Sequence, residues 1–187
     1  MIEPNEAVVK QMLEAIGEDP GREGLLDTPR RVAKMWKELF RGYDKDQKPN
    51  VTVFSNNTDG IQYDQLITDS GYFYSQCEHH MAPFFGRYFF GYIPGSKVLG
   101  LSKVARVVDF HSAKLQVQER LVKEIVDQLE EALGDSQAIG LILEGRHLCK
   151  EMRGVKKVEG KMITSDLRGK FRSEPETRAE FIGLMKK

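Results

Sequence analysis

From about residue 65 the chain has a series of strand-like and helical segments, and their order strongly limits how it can fold. The segments QLITDSGYFYSQ and FFGRYFFGYIP are rich in aromatic and β-branched residues and contain turn signals, which is typical of strands. Two helical patterns follow, the second with apolar residues at helical spacing from Leu121 to Leu133. The segments AIGLILEGRHLC and MITSDLRGKF then predict two further strands. This ββααββ order predicts an α+β fold, in which an antiparallel sheet carries two helices on one face.

The first part of the chain has a helical pattern instead. Residues 5–16 place apolar side chains on one helical stripe, and Thr28 is predicted to cap a second helix that continues with a proline. We therefore divide the chain into an N-terminal helical segment, residues 1–60, and an α+β domain, residues 61–187.

The charge balance excludes several classes of partner. The chain has 28 lysines and arginines and 28 aspartates and glutamates, so no overall field favours nucleic acid or anionic lipid. No apolar run approaches the roughly 18 residues that span a bilayer, and the start MIEPNEAVVKQ does not read as a signal peptide. We expect a cytoplasmic protein that binds neither nucleic acid nor membrane. Any phosphate binding must come from a local group of basic residues.

The two cysteines of the chain each lie within three residues of a histidine. Cys77 and His80 belong to the run CEHH, while His147 and Cys149 are two apart in a predicted strand, so both side chains should leave the same face. Thiolate and imidazole together suit zinc. Four ligands would close the coordination shell of a structural ion, whereas three would leave room for water. Spacing alone does not decide between these, and two unrelated buried cysteines are a further alternative.

The motifs CEHH, GLSKVARVV, QVQERL and HLCKEMRG, taken together, closely resemble the GTP cyclohydrolase I family. The similarity runs from TPRRVAKMW to TRAEFI, about four-fifths of the chain. The resemblance implies the tunnelling fold, in which antiparallel ββααββ units assemble side by side into barrels, so residues 61–187 would be its catalytic domain. It also implies conversion of GTP and water to 7,8-dihydroneopterin triphosphate and formate, the first step of folate and tetrahydropterin biosynthesis. Family members form homodecamers, dimers of pentamers, with active sites between subunits.

The resemblance also assigns roles to individual residues. It implies one zinc ion per subunit, which activates the water that attacks C8 of guanine. His147 would protonate N7, His79 would relay protons, and Ser102 would assist at the ribose. The zinc ligands would be Cys77, His80 and Cys149; guanine would be bound by Glu119 with Gln118 beside it, and the triphosphate by Lys103, Arg106, Arg153, Arg31 and Lys34.

Two features of the sequence depart from the family pattern, and two other functions stay open. Phe89 stands where a histidine is often found, and Ala113-Lys114 replaces a common arginine pair. A tunnelling-fold relative with other pterin or deazapurine chemistry, such as nitrile reduction, would use a free nucleophilic cysteine and NADPH. A non-catalytic scaffold stabilised by zinc would not need the histidine pair or Glu119.

Overall fold

The structure, a computed structural model, describes residues 5–185 of the chain. The outer ends of both predicted segments, residues 1–4 and 186–187, lie outside the described residues. Between residues 5 and 185, no helix is long and apolar enough to cross a membrane.

Two helices form the start of the described chain and pack against each other. Helix α1 (Glu6–Ala15) begins after Asn5, whose side chain accepts a hydrogen bond from a backbone N–H of the first turn. Helix α2 (Thr28–Leu39) begins one residue earlier than we predicted, so the capping role of Thr28 is wrong. Asp27 occupies the cap position, and Pro29 lies in the first turn, where its missing N–H has no helical partner to lose.

The remaining elements follow in an order that confirms the predicted ββααββ unit, with short additional strands between its parts. In chain order they are β1 (Val53–Ser55), β2 (Ile67–Cys77), β3 (Pro83–Ile93), β4 (Lys97–Leu99), α3 (Ser102–Ser112), β5 (Leu115–Gln116), α4 (Gln118–Leu133), β6 (Ala138–His147), α5 (Leu148–Glu151), β7 (Lys161–Gly169), α6 (Lys170–Ser173) and α7 (Pro175–Leu184).

Five of these strands form one sheet in the order β5-β2-β3-β6-β7. The pairs β2–β3, β3–β6 and β6–β7 are antiparallel, and the two-residue strand β5 lies parallel to β2 at the edge. Strands β1 and β4 form a separate antiparallel pair. The segment before residue 60 therefore contains a strand as well as helices.

The main core lies between one face of the sheet and helices α3 and α4, as predicted. Leu121, Ile125 and Leu129 of α4 are fully buried against strand residues such as Phe73 and Leu141. Burying each such side chain contributes about 1.5–3 kcal/mol. The helical spacing seen in the sequence therefore marks the face of α4 that holds it to the sheet.

Helices α6 and α7 cover one end of the opposite face of the sheet. Their Phe171 and Phe181 rings stack with centroids 4.7 Å apart in a second, smaller core. Phe89, one of the two departures from the family pattern, packs against this core and lies under the Arg87 guanidinium, 4.6 Å from its carbon. Further along the same face, the aromatic side chains of Tyr72 and Tyr74 of β2 are exposed.

The second departure lies at the end of α3. Ala113 is buried, and its carbonyl accepts a hydrogen bond from the Gly42 N–H at 2.8 Å. Lys114 forms an ion pair with Glu124 of α4 at 2.8 Å. This pair of residues therefore takes part in packing between α3, α4 and the segment that follows α2.

Candidate active site

Strand directions bring the predicted site residues to one edge of the sheet. Strands β2 and β6 are both antiparallel to β3, so they run in the same direction and end at the same edge. Cys77 is the last residue of β2, and His147 is the last residue of β6. Helix α4 begins at Gln118, just after β5, which pairs with the end of β2. The CEHH run, the HLC run and the start of α4 therefore meet.

The two cysteines and one histidine form a compact cluster at this edge. The Sγ atoms of Cys77 and Cys149 lie 3.9 Å apart. These two atoms and a ring nitrogen of His80 all lie within 4.8 Å of one another. Cys77 is buried, Cys149 is half-buried and His80 is exposed, so the cluster opens toward the surface on the histidine side.

A tight turn shapes the CEHH side of the cluster. The Met81 N–H donates to the Cys77 carbonyl at 2.7 Å, and the Cys77 N–H donates to the Ala82 carbonyl at 2.9 Å. Met81 has a φ of 52°, the left-handed conformation that a non-glycine residue adopts at some cost. Closing the turn in this way keeps His80 on the same side of the chain as Cys77.

The HLC side of the cluster differs from our prediction in its backbone. Strand β6 ends at His147, and Cys149 belongs to the short helix α5, so the two side chains do not leave one face of a strand. The Cys149 thiol instead meets Cys77, while the His147 ring stacks on Phe84 with centroids 4.7 Å apart. The expected geometry is wrong, although both residues lie at the site.

The donor atoms of this cluster fit a zinc ion. Two thiolates bound at about 2.3 Å to a tetrahedral zinc lie about 3.8 Å apart, close to the separation of the two Sγ atoms. Burial and the neighbouring Cys77 thiol raise the pKa of the Cys149 thiol, and the positive charge of Arg153 acts in the opposite direction. A bound cation would favour the thiolate form in the same way as Arg153 but more strongly.

The other two histidines lie beside the cluster. The Nδ1 atom of His79 is 3.8 Å from the Cys77 Sγ, and His79 is not among the three residues whose ligand atoms are mutually close. His147 is half-buried, and its Nε2 atom lies 2.9 Å from the side-chain oxygen of Gln118. Burial lowers the pKa of the His147 imidazole, and the nearby Glu119 carboxylate opposes this shift.

The amide of Gln118 is held by a complete set of contacts. Its Nε2 atom, which carries two hydrogens, lies within hydrogen-bond distance of three acceptors: the Leu143 carbonyl at 3.1 Å, the Met162 carbonyl at 3.0 Å and the Thr164 hydroxyl at 3.1 Å. Because the two backbone carbonyls can only accept hydrogen bonds, they face the amide nitrogen, and Oε1 is the atom that faces His147. The Nε2 atom of His147 therefore carries a proton, and Nδ1 is the nitrogen free to exchange one.

A glycine makes room for this arrangement. A Cβ atom on Gly145 would lie 2.2 Å from the Gln118 side-chain oxygen, so any larger residue in this part of β6 would displace the amide. Gln118 itself is fully buried, whereas its neighbour Glu119 is exposed at the start of α4. The structure thus places Gln118 behind His147, and Glu119 on the accessible side.

The predicted phosphate-binding residues are spread more widely in the single chain. Arg153 lies close enough to Cys149 to affect its pKa, as described above. Ser102, which is exposed, and Lys103, which is half-buried, begin α3. Arg106 lines a surface depression with Arg41 and Asp109 on the outer side of α3. On α2, the exposed Arg31 pairs with Asp27 at 3.3 Å, and Lys34 is also exposed.

Sequence reasoning missed a polar connection between the CEHH turn and α4. The Arg120 guanidinium contacts the carboxylate of Glu78 and the side-chain oxygen of Gln116. All three residues lie within motifs that we had singled out, but neither spacing nor the resemblance gave them a role. The only available signal was the opposite charge of Glu78 and Arg120, which is too common among surface residues to be diagnostic.

Fold and site together define an α+β protein with two helices on one face of an antiparallel sheet and a candidate metal centre at one edge of that sheet. The family model for GTP cyclohydrolase I matches residues 5–186. The chain belongs to the GTP cyclohydrolase I family and is an enzyme of that class.

Curated relatives agree over almost the whole chain. GTP cyclohydrolase 1 of Deinococcus radiodurans is 46% identical over 180 residues, which cover 96% of this chain and 82% of the relative. GTP cyclohydrolase 1 of Helicobacter pylori strain J99 is 41% identical over 181 residues, covering 97% of this chain and 99% of the relative. The protein of the same name from Leptospira biflexa is 43% identical over 183 residues and covers 97% of each chain.

Among solved structures, archaeosine synthase QueF-Like in the apo form has a TM-score of 0.47 and 13% sequence identity to this chain. The match covers 56% of this chain and 93% of that one.

Proposed function

We propose that the chain converts GTP and water to 7,8-dihydroneopterin triphosphate and formate at the edge of the sheet where β2, β6 and α4 meet. The observation that carries this proposal is the cluster of Cys77, His80 and Cys149 beside a histidine held by a buried amide. Three ligands from the protein leave a zinc ion open to water, which is the arrangement of a catalytic rather than a structural site. The reaction would be the first step of folate or tetrahydropterin biosynthesis.

The metal in this proposal is one zinc ion per subunit, bound by the two thiolates and His80. When bound, zinc supplies Lewis-acid activation of water near neutral pH. The residues around it must therefore bring C8 of guanine to the same place and handle the protons.

His147 is the proposed acid for the imidazole ring of guanine. C8 is a poor electrophile until N7 is protonated, and a histidine is suited to this because it titrates near neutral pH. Gln118 accepts a hydrogen bond from Nε2 in both charge states of the ring, which leaves Nδ1 to donate the proton. His79, whose Nδ1 atom is 3.8 Å from the Cys77 Sγ, would relay protons during ring opening, and Ser102 would assist at the ribose.

Glu119 is the proposed binding residue for guanine. Guanine presents N1–H and a 2-amino group side by side, and a carboxylate can accept both hydrogen bonds. The exposure of Glu119 and its electrostatic effect on His147 support this role, because they put a carboxylate near the proposed acid without burying it. The buried position of Gln118 favours a role behind His147 over a direct contact with the base.

The triphosphate needs fixed positive charge, for which we propose Arg153, Lys103, Arg106, Arg31 and Lys34. Arg31 and Arg106 line separate surface depressions of the single chain, which supports a site completed by more than one subunit. Exposed apolar side chains support association as well: Met12 on α1 and Ile16 just after it are 51% and 74% exposed, and Tyr74 of β2 is 70% exposed. We propose a homodecamer, a dimer of pentamers, located in the cytoplasm.

The alternative functions receive less support. Nitrile reduction needs a free nucleophilic cysteine, but both cysteines of this chain belong to one cluster. A zinc-stabilised scaffold would not require the bond between His147 and Gln118, or a carboxylate at position 119.

The direct test is to incubate the purified zinc-loaded chain with GTP and to measure formate and the neopterin chromophore. His147→Ala is the informative variant, because we expect it to retain zinc and to lose ring opening. The proposal fails if the unaltered, zinc-loaded chain releases no formate. Loss of zinc from His147→Ala would instead show that His147 is a ligand.

A further inference from the structure

The CEHH turn is fastened to the segment before α4 by contacts that the reaction itself does not require. Cys77 pairs with Gln116 in the parallel β2–β5 bridge, and the Glu78 N–H donates to the Gln116 carbonyl at 3.0 Å. The side chain of Glu78 extends toward α4, where its carboxylate meets the Arg120 guanidinium at 2.5 Å. Glu78 lies between two residues of the proposed site, yet it pairs with the helix.

Arg120 uses its guanidinium to join three parts of this region. Nε donates to the Gln116 side-chain oxygen at 2.8 Å, and Nη2 donates to both the Glu78 carboxylate and the Leu115 carbonyl, the latter at 3.0 Å. A planar guanidinium offers several donors in a fixed geometry, so these contacts constrain one another. A lysine at this position would provide a single charged point instead.

Gln116, whose side-chain oxygen accepts a hydrogen bond from Arg120, is itself held in place. Gln116 is fully buried, and its Nε2 atom donates to the His111 carbonyl at 3.0 Å and to the Glu124 carboxylate at 2.8 Å. These donors fix the orientation of the amide, so its oxygen points at Arg120. The pair of Glu78 and Arg120 is therefore anchored to the buried part of α3 and α4.

We propose that Arg120 is a positioning residue that holds the CEHH turn in register with the start of α4. This role rests on the proposed function. The contact between Glu78 and Arg120 sets the distance from the metal ligands Cys77 and His80 to Glu119, the proposed guanine-binding residue. Arg120 touches neither substrate nor metal in this role. It keeps two halves of the site, which come from different elements, at a fixed separation.

The exposure of the pair argues against a mainly structural role. The side chains of Arg120 and Glu78 are 42% and 34% exposed, and half-exposed ion pairs contribute little to global stability. Displacing a bound substrate by about 1 Å, in contrast, can lower a reaction rate about 100-fold. Loss of the contact should therefore affect the rate and the metal site far more than the melting temperature.

The test compares Arg120→Met, Arg120→Lys and Glu78→Gln with Lys123→Met in the zinc-loaded full chain. Lys123 is a matched control, because it forms an exposed ion pair with Asp127 on the same helix. We expect Arg120→Met to lower kcat about tenfold or more with little change in KM for GTP. We also expect it to release zinc to a chelator about tenfold faster, an effect typical of groups that orient metal ligands.

The variants also separate geometry from charge. Arg120→Lys should retain only part of the kcat of the unaltered chain, because lysine keeps the positive charge but not the planar set of guanidinium donors. The double variant Glu78→Gln/Arg120→Met should be no worse than Arg120→Met alone, since both changes remove one contact. Melting temperatures close to that of Lys123→Met would show that the variants are folded.

Several results would overturn the inference. Rates of zinc release and kcat equal to those of Lys123→Met would show that the contact positions nothing. A raised KM with unchanged kcat and unchanged zinc release would mean that Arg120 contacts the substrate. If the effects of Glu78→Gln and Arg120→Met were fully additive in the double variant, the two residues would act separately. If the unaltered chain released no formate, the proposed function would fail, while the zinc-release comparison would still decide the role of Arg120.

Discussion

The side-chain oxygen of Gln118 lies 2.9 Å from Nε2 of His147, and the same amide donates to backbone carbonyls of β6 and β7. The family resemblance alone would assign Gln118 to substrate binding. In the structure its amide instead holds His147. The arrangement fixes both the orientation of the ring and the nitrogen that carries its permanent proton. It depends on Gly145, the position at which a side chain would collide with the amide.

Gln118→Leu should therefore impair the reaction without removing the metal. Leucine keeps the approximate volume but removes the acceptor for His147 and the donor to the Leu143 and Met162 carbonyls, which should lower the free energy of unfolding by about 1–3 kcal/mol. We expect kcat to fall about 10- to 100-fold with zinc content unchanged, measured by formate release and metal analysis. Gln137→Leu is the control, because Gln137 also bonds to a backbone carbonyl but lies away from the site. Equal rates in the two variants would contradict the role of Gln118.

Glu119→Ala tests recognition of guanine separately from the metal. Loss of a carboxylate that accepts two hydrogen bonds should weaken GTP binding about 10- to 100-fold, with zinc retained. Isothermal titration with GTP measures this directly. Glu131→Ala, an exposed glutamate on the same helix, should bind GTP like the unaltered chain. Unchanged binding by Glu119→Ala would refute the assignment.

His111 predicts a particular dependence of stability on pH. Burial lowers the pKa of its imidazole; Gln128 and Glu124 act to raise it, whereas Lys114 lowers it further. Its Nδ1 atom lies 3.3 Å from the Glu124 carboxylate but has no hydrogen-bond partner within residues 5–185. The effect of burial should therefore prevail.

The sign of the effect follows from which state binds the proton. Below the ordinary histidine pKa of about 6.5 the unfolded chain is protonated at this residue while the folded chain is not. The folded state consequently loses about 1.4 kcal/mol for each pH unit in that window, down to the lowered pKa of the folded protein. Denaturant unfolding between pH 7.5 and 5.5 should show a smaller loss for His111→Phe than for the unaltered chain. Identical losses would mean that His111 titrates normally when folded.

The sequence was sufficient to predict the order of the main strands and helices of the ββααββ unit, because each has a strong local pattern, but not the short strands β1, β4 and β5. The apolar spacing from Leu121 to Leu133 and the aromatic texture of β2 and β3 are set by residues close together in the chain. Cys149 shows where local reasoning stops. A spacing of two gives a common face only while the strand continues, and β6 ends at His147.

The support around the site could not be predicted for a different reason. Gln118 is held by Leu143 and Met162, and Arg120 by Glu78, contacts between residues that are 25 to 44 positions apart. A glutamine or arginine at the start of an amphipathic helix is normally solvated, so neither pattern indicates burial or pairing. Only the packing of α4 against the sheet brings these groups together.

The central claim is that Cys77, His80 and Cys149 hold one zinc ion on which the opening of GTP depends. The most direct measurement starts from native chain that has been stripped of metal with a chelator and has not been unfolded. Zinc is titrated into this protein, and formate release from GTP is recorded at each addition. We expect activity to rise linearly and to reach a plateau at one zinc per subunit, and Cys149→Ser to show no such rise. Formate release that is independent of zinc, or a zinc-saturated chain that releases none, would contradict the account.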